Sequence, residues 1–270
     1  MALGFIALLA LVQGLTEFLP VSSSGHLVLL PQIIGTADQG LLIDVALHVG
    51  TLLAIIAYYH KDIIKMVLAV LMYKKNHDIQ SRNLAFFIIV ATIPAVLFGL
   101  FLHLTVPDGI RDVRVIIVTT IVFALLMAVA DVRGRQEKEV KDVTLKSAIL
   151  IGIAQAIALI PGTSRSGITM TTARFLHFKR VDAARFSFLL GMPAMAAAGT
   201  LGFLEIFEKG DLSLLTDALY AVVLAFFAGI AAIHFMMKYL TRYGLMPFVI
   251  YRLFLAGLLI YLYMQGHFDV

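Results

Sequence analysis

Long apolar runs separated by short polar segments dominate the chain. A helix needs roughly 20 predominantly apolar residues to cross the hydrocarbon core of a bilayer, and six runs of about that length occur. They are Leu41–Tyr59, Leu84–Leu104, Val115–Asp131, Phe186–Ile206, Asp217–Met237 and Phe248–Gln265. The pattern predicts an all-α polytopic membrane protein with six full transmembrane helices.

Two further apolar stretches are too short to span. Phe5–Leu19 has 15 residues and Ala148–Ile160 has 13. As helices they would measure about 22 Å and 20 Å, against a core of about 30 Å. Each is followed by a proline, a cluster of hydroxyl and glycine residues, and a second short apolar stretch. Because polar backbone at membrane depth is tolerated only where it is buried in protein or lines a cavity, we expect two re-entrant helix-loop-helix hairpins.

The two hairpins resemble each other. Twelve residues separate a glutamine from a glycine in each, Gln13 from Gly25 and Gln155 from Gly167. Three full spans follow each hairpin, and because three is odd, the second copy begins on the opposite face of the membrane. The sequence therefore predicts a single membrane domain over residues 1–270. Its halves, at 1–131 and 147–265, form an inverted-topology repeat whose hairpin tips meet near the midplane.

Composition and charge indicate the environment and the orientation. The chain is 61% hydrophobic and 14% charged, and it has no cysteine, which excludes disulfides, thiolate metal sites and cysteine nucleophiles. On the predicted topology, fifteen of the 21 lysines and arginines lie on one face, and the positive-inside rule makes that face cytoplasmic. This topology, together with anionic lipid, explains the net charge of +4. We therefore expect membrane lipid, and no nucleic acid, as a partner.

Ionisable and hydroxyl side chains gather at the two predicted hairpin tips. Glu17 and Arg165 lie in hairpins that should be buried in the membrane, where ionisable residues are costly and are functional candidates. A purely structural ion pair between the hairpins is the alternative. Hydroxyls, glycines and an arginine at the start of a helix favour a phosphate cradle. Its candidate residues are Ser22, Ser24, Gly25, Gly162, Thr163, Ser164, Ser166, Gly167 and Thr169.

Two motifs in these tips carry a family resemblance. Gln13 to Glu17 is similar to the pattern Glu or Gln, three residues, Glu, and Pro161 to Thr169 is similar to Pro-Gly-x-Ser-Arg-Ser-x-x-Thr. With the nearby His26, they make the chain resemble the bacterial undecaprenyl-diphosphate phosphatase family, which is associated with bacitracin resistance, over essentially its whole length. Many members have glutamate where Gln13 stands. With glutamine at position 13, this chain lacks one carboxylate of any mechanism in which two carboxylates bind a metal or act as acid and base.

The resemblance implies an activity and a location. The activity is hydrolysis of undecaprenyl diphosphate to undecaprenyl phosphate and phosphate, which recycles the lipid carrier of peptidoglycan synthesis. The location is the bacterial inner membrane, with the active site opening to the periplasmic face. A divalent cation, Mg²⁺ or Ca²⁺, is also implied, with Glu17 as its ligand and Gln13 as a candidate second one. The oligomeric state stays open, a homodimer included.

The catalytic residues expected from the motifs are Ser23, His26, Glu17 and Arg165, and two nucleophile schemes remain open. In one, Ser23 attacks with His26 as its base, because residues three apart share a helical face. In the other, His26 attacks phosphorus directly, assisted by Glu17. The alternative function is a lipid or small-anion transporter, or flippase, built on the same inverted repeat.

Ionisable residues outside the motifs are interpreted more simply. His48, His103, His177 and His234 are taken as core residues with satisfied hydrogen bonds. Arg252 lies one turn inside the last span, and a long basic side chain near a helix end commonly extends to the interface. We therefore expect Arg252 to reach the cytoplasmic surface.

Overall fold

A computed structural model describes residues 3–72, 78–106, 110, 112–209 and 215–266. Within these residues the chain forms eleven α-helices and no β-strand. They are α1 (Leu3–Phe18), α2 (Ser23–Ile34), α3 (Gly40–Tyr58), α4 (His60–Leu71), α5 (Ile79–Thr105), α6 (Val113–Arg133), α7 (Leu145–Ile157), α8 (Arg165–Phe175), α9 (Arg180–Lys209), α10 (Leu215–Leu240) and α11 (Met246–Met264). Helices α3, α5, α6, α9, α10 and α11 are long and apolar enough to cross a membrane, which confirms the six predicted spans. The chain is a multi-pass, all-helical membrane protein.

All six spans begin before their apolar runs, and two of them begin well before. Helix α5 begins at Ile79, where the carboxylate of Asp78 accepts a hydrogen bond of 3.0 Å from the backbone N–H of Ser81. Helix α9 begins at Arg180. An apolar run shows only the part of a helix that is compatible with lipid. The helix itself continues through polar residues to its capping residue.

The pairs α1–α2 and α7–α8 are the two predicted helix-loop-helix units, and their tips share one local conformation. The residue just before the second helix has a positive φ in both, 77° at Ser22 and 70° at Ser164, which is uncommon for a residue other than glycine. The hydroxyl of each serine lies near that of the serine two residues later, at 3.4 Å for Ser24 and 3.5 Å for Ser166.

Glycines let the first helix of each hairpin approach a long span closely. A Cβ at Gly14 of α1 would collide with Ala228 of α10, and a Cβ at Gly152 of α7 would collide with Ala91 of α5. Such contacts through small residues are typical of helix packing in membranes, where close van der Waals approach replaces the hydrophobic driving force. Helix α1 therefore packs on α10, and α7 packs on α5.

The interpretation of Arg252 as a surface residue is wrong. Its side chain is 0% exposed, and it donates hydrogen bonds to the backbone carbonyls of Gly162 at 2.8 Å, Thr163 at 2.9 Å and Thr120 at 3.3 Å. Pro20, in the other hairpin tip, offers a fourth carbonyl at 3.5 Å. The loops between the paired helices leave carbonyls without helical partners, so the guanidinium is satisfied inside the protein and does not extend to the surface.

Candidate functional site

An ion pair joins the two hairpin tips. Oε1 of Glu17, near the end of α1, lies 2.8 Å from Nη2 of Arg165, the first residue of α8. The Glu17 side chain is 6% exposed and that of Arg165 is 15% exposed, so the contact is shielded from solvent. Glu17 and Arg165 are the functional candidates predicted from the sequence because charged residues are costly inside a membrane, and the structure brings them into contact.

The other oxygen of Glu17 serves a different set of neighbours. Oε2 accepts a hydrogen bond of 2.6 Å from the hydroxyl of Ser23 and one of 3.1 Å from the amide of Gln13. A hydroxyl this close to a carboxylate has a proton acceptor in place, as a serine nucleophile requires. Glu17 therefore holds Arg165 with one oxygen and Ser23 with the other.

Arg165 lies in a slot on α9. Its guanidinium contacts the carbonyl of Ser187 at 3.4 Å and the sulfur of Met195 at 3.6 Å. Gly191 lies between these residues along the helix, and a Cβ there would collide with the guanidinium. A glycine at position 191 is what allows the planar group to lie against α9.

His26 is not hydrogen-bonded to Ser23. Its Nδ1 lies 2.7 Å from the carbonyl oxygen of Ser22 and its Nε2 lies 2.6 Å from the hydroxyl of Tyr251. Because a carbonyl only accepts, Nδ1 carries the hydrogen, and Nε2 of the neutral ring accepts from Tyr251. The rings of His26 and Tyr251 are also stacked, with centroids 5.8 Å apart. The structure thus gives His26 a partner on α11.

Further contacts fix the tips relative to each other. The hydroxyl of Ser166 donates to the carbonyl of Leu19 at 3.0 Å, which ties α8 to the first hairpin. Ser164 caps α8 by accepting from the backbone N–H of Gly167 at 3.1 Å. Together with the hydrogen bonds of Arg252 to both loops, these contacts fix the backbone of the two tips.

The predicted phosphate-binding residues surround this centre with unequal access. Ser24 is exposed, and the others are buried: Ser22, Gly25, Gly162, Thr163, Ser164, Ser166, Gly167 and Thr169. The hydroxyl of Thr169 donates to the carbonyl of Arg165 at 2.7 Å and lies 2.6 Å from that of Ser187. The buried Thr163 hydroxyl has no hydrogen-bond partner among the described residues. Contact of these residues with phosphate stays a prediction.

Two residues beside the site were missed by the sequence interpretation. Nε2 of His48, on α3, lies 4.0 Å from Oε2 of Glu17, and Tyr251 binds His26. His48 is an ionisable residue inside an apolar span, and that alone is a signal of function. Tyr251 offered no comparable signal, because its role depends on how α11 packs.

The implied divalent cation can be compared with the donors present. No group of three or more His, Asp or Glu side chains that could hold a metal occurs in the described part of the chain. Glu17 offers one carboxylate, and Oε1 of the neighbouring Gln13 is buried without a hydrogen-bond partner among the described residues. Mg²⁺ commonly uses one or two carboxylates and completes its coordination with substrate phosphates and water. These oxygens therefore fit a cation shared with a diphosphate.

Comparison with known proteins gives matches over nearly the whole chain. The sequence profile of the family described as bacitracin resistance protein BacA matches residues 6–258. The undecaprenyl-diphosphatase of Hahella chejuensis is 47% identical over 260 residues, which cover 96% of this chain and 97% of the relative. The undecaprenyl-diphosphatase of Jannaschia sp. is 45% identical over 262 residues, covering 96% and 98%. That of Saccharophagus degradans is 47% identical over 251 residues, covering 93% and 94%.

Proposed function

The chain belongs to the bacitracin resistance protein BacA family, and on that premise we propose that it hydrolyses undecaprenyl diphosphate to undecaprenyl phosphate and inorganic phosphate. The reaction recycles the lipid carrier of cell-wall synthesis. Three relatives at 45–47% identity are named undecaprenyl-diphosphatase. The observation that carries the proposal is the shielded Glu17–Arg165 ion pair beside the hydroxyl of Ser23.

In the mechanism we favour, Ser23 is the nucleophile. Its oxygen attacks the terminal phosphorus, the bond from that phosphorus to the bridging oxygen breaks, and undecaprenyl phosphate leaves with that oxygen. The hydroxyl proton passes to Glu17, which lies 2.6 Å away. The departing undecaprenyl phosphate takes this proton from Glu17. A water molecule then attacks the phosphoserine, and Glu17 accepts one of its protons and passes it to the serine oxygen as the bond from that oxygen to phosphorus breaks. The released phosphate keeps the other proton. The geometry favours Glu17 over His26 as the base for Ser23.

Arg165 and the two helix starts supply positive charge. Phosphoryl transfer depends mainly on positioning and on neutralising the phosphate oxygens. The guanidinium has five N–H donors in a planar fork, of which the Glu17 contact uses one well-formed bond. Helices α2 and α8 begin at Ser23 and Arg165, so the positive ends of both helices lie at the tips.

His26 acts in this scheme as a positioning group. Its hydrogen-bonded Nε2 would have to leave the hydroxyl of Tyr251 before it could attack phosphorus. Its helix also carries Ser23, so the two anchors of the ring, Ser22 and Tyr251, hold the start of α2 in place. A divalent cation bound by Glu17 and Gln13 would neutralise further charge on the diphosphate.

The finer architecture we propose is an inverted repeat with re-entrant hairpins. In such a repeat, helices α1, α3, α5 and α6 of the first half correspond, in that order, to α7, α9, α10 and α11 of the second. The packing of α1 on α10 is then equivalent to the packing of α7 on α5. Contacts of α3 with α9 and of α6 with α11 join counterparts. This is the contact pattern expected of a pseudo-two-fold axis. The shared conformation of Ser22 and Ser164 supports the same relationship.

The orientation we propose places the basic loops in the cytoplasm of a bacterium and the site towards the periplasmic face of its inner membrane. Ala37 follows the first hairpin and Gln136 lies in a basic loop. Ala37→Cys should react with an impermeant thiol reagent in intact spheroplasts, and Gln136→Cys only after lysis. The chain has no native cysteine, so labelling reports the introduced residue alone. The opposite pattern would invert the topology.

The activity is tested on the purified full-length protein in detergent, with undecaprenyl diphosphate as substrate. We expect release of one inorganic phosphate per undecaprenyl phosphate formed. Detergent solution has no second compartment, so transport cannot account for a product. Absence of phosphate release from folded protein, with and without added Mg²⁺, would favour the transporter.

A further inference from the structure

The ring of His48 presents a nitrogen lone pair to the carboxylate of Glu17. Its Nδ1 lies 2.8 Å from the carbonyl oxygen of Asp44, and because a carbonyl only accepts, Nδ1 of the neutral ring carries the hydrogen. Its Nε2 then faces Oε2 of Glu17 at 4.0 Å. In this neutral tautomer both atoms are acceptors, and a cation between them would satisfy both. The His48 side chain is 35% exposed, so the protein does not fully enclose it.

A third donor lies at the same oxygen of Glu17. The amide of Gln13 is 0% exposed, its Nε2 donates to Oε2 of Glu17 at 3.1 Å, and its Oε1 has no partner among the described residues. A half-turn of the amide exchanges its nitrogen for its oxygen and places a hard oxygen donor beside Oε2. The buried orphan oxygen is therefore explained if a cation replaces the amide hydrogen.

We propose that Nε2 of His48 is a nitrogen ligand of the divalent cation, completing with Oε2 of Glu17 and Oε1 of Gln13 the protein's share of the site. Ligands that stand about 2.1 Å from one ion are at most about 4.2 Å apart, and the observed 4.0 Å is within that limit. A metal-binding histidine commonly donates its other N–H to a carbonyl, which fixes the ring and its tautomer. The contact of His48 with Asp44 has that form.

The arrangement divides Glu17 between two charges. Oε1 accepts from Arg165, and Oε2, which also accepts from the hydroxyl of Ser23, would be the oxygen that faces the cation, so one carboxylate serves both charges. Imidazole makes up for the carboxylate that Gln13 cannot supply. Because imidazole suits Zn²⁺, Fe²⁺ and Ni²⁺ better than Mg²⁺ or Ca²⁺, the site should bind such transition-metal ions more tightly than Mg²⁺ or Ca²⁺. The inference rests on the proposed function, since a diphosphate would complete the cation's coordination.

The test uses Mn²⁺ and the purified full-length protein without substrate. Pulsed electron paramagnetic resonance detects the hyperfine coupling of a directly coordinated imidazole nitrogen to Mn²⁺. We expect that coupling in the unaltered protein and in Gln13→Glu, with tighter binding in the latter because a carboxylate replaces an amide. His48→Gln should lose the coupling and bind Mn²⁺ at least about tenfold more weakly, since loss of even an outer-shell partner of a ligand costs about that much.

His60→Gln is the matched control. Nδ1 of His60 also lies near a carbonyl of its own turn, 2.7 Å from that of Ala57, but His60 lies at the junction of α3 and α4. The His60→Gln variant should leave both the nitrogen coupling and the affinity for Mn²⁺ unchanged. Bound Mn²⁺ without nitrogen coupling, or coupling that survives His48→Gln in a normally eluting protein, overturns the inference even if phosphate is released. Nitrogen-coupled Mn²⁺ in a protein that releases no phosphate overturns the proposed function and leaves the ligand assignment standing.

Discussion

Oε1 of Glu17 accepts a hydrogen bond from Nη2 of Arg165 at 2.8 Å, across 148 residues of sequence. Taking two charges out of water costs several kcal/mol per ion, and their attraction often does no more than repay that cost. Stability alone is therefore a weak reason for this pair. Its value lies in position, because each hairpin contributes one charge to a centre that neither could form alone.

Arg165→Lys should lose most activity while the protein stays folded. The ammonium of lysine keeps the charge but cannot hold Glu17 and a phosphate oxygen in the planar geometry of the guanidinium. We expect kcat/KM to fall about a hundredfold or more, a loss of about 2.7 kcal/mol of transition-state stabilisation. Phosphate release in detergent measures it.

The control for Arg165→Lys is Arg114→Lys, which alters an exposed ion pair with Asp112. An exposed pair contributes little to stability, so the activity of this variant should match that of the unaltered protein. Turnover within a fewfold of normal for Arg165→Lys would remove the guanidinium from the reaction.

Gly191→Ala should impair the reaction although residue 191 lies on α9, outside both tips. The added Cβ collides with the guanidinium of Arg165, and the end of a long side chain moves more easily than helix α9. Displacement by about 1 Å at a reacting group can cost about a hundredfold in rate. We expect a loss of that order in kcat with an unchanged melting temperature.

Gly199→Ala on the same helix serves as the control for Gly191→Ala. A Cβ at position 199 meets only Val49, at an ordinary 3.8 Å. If the two alanine variants were equally active, the slot for Arg165 on α9 would have no functional meaning.

Arg252→Met should destabilise the protein strongly. It removes the guanidinium donor from buried carbonyls in both tips, and each buried acceptor left unsatisfied costs about 1–3 kcal/mol. At about 2–4 °C per kcal/mol for a chain of 150–250 residues, the melting temperature in detergent should fall by about 10 °C. Arg252→Lys should recover only part of this, since one ammonium cannot reach all the carbonyls.

Arg242→Met is the control for Arg252→Met, because Arg242 is exposed and surface substitutions usually change stability by less than about 0.5 kcal/mol. A melting temperature for Arg252→Met equal to that of Arg242→Met would contradict the clamp between the tips.

Hydropathy and the cost of buried charge account for what the sequence predicted well. The six spans follow from apolar runs, since lipid selects those residues directly. The hairpin helices follow from stretches too short to span and ended by proline, and Glu17 with Arg165 follows from charge in an apolar setting. These signals are local and can be read from one sequence.

What the sequence left open depends on packing between distant segments. The sequence around Gly191 does not show that Arg165 will pack against it. Nor does the sequence of α11 show that Tyr251 will contact His26. Helical spacing alone pairs Ser23 with His26. In the structure the ring of His26 instead contacts the carbonyl of Ser22, and the end of α1 brings Glu17 to Ser23.

Ser23→Ala separates the two nucleophile schemes. If Ser23 attacks, its removal should lower turnover more than about ten-thousandfold, since loss of a true nucleophile costs up to about a millionfold in serine proteases. If the hydroxyl only orients the substrate, its loss costs about 1–3 kcal/mol, which is about ten- to a hundredfold. Trapping adds a second readout, because phosphoserine survives acid and phosphohistidine does not.

Tyr251→Phe tests the place of His26 in the same scheme. It removes the hydroxyl that binds Nε2 at 2.6 Å but keeps the stacked ring. If His26 only positions α2, the variant should lose about tenfold or less, in line with one hydrogen bond. Direct attack by His26 predicts the reverse, because Nε2 freed from Tyr251 would be a better nucleophile and turnover should rise. A gain in Tyr251→Phe, together with a Ser23→Ala variant that keeps more than about a hundredth of normal turnover, would transfer the attack from Ser23 to His26.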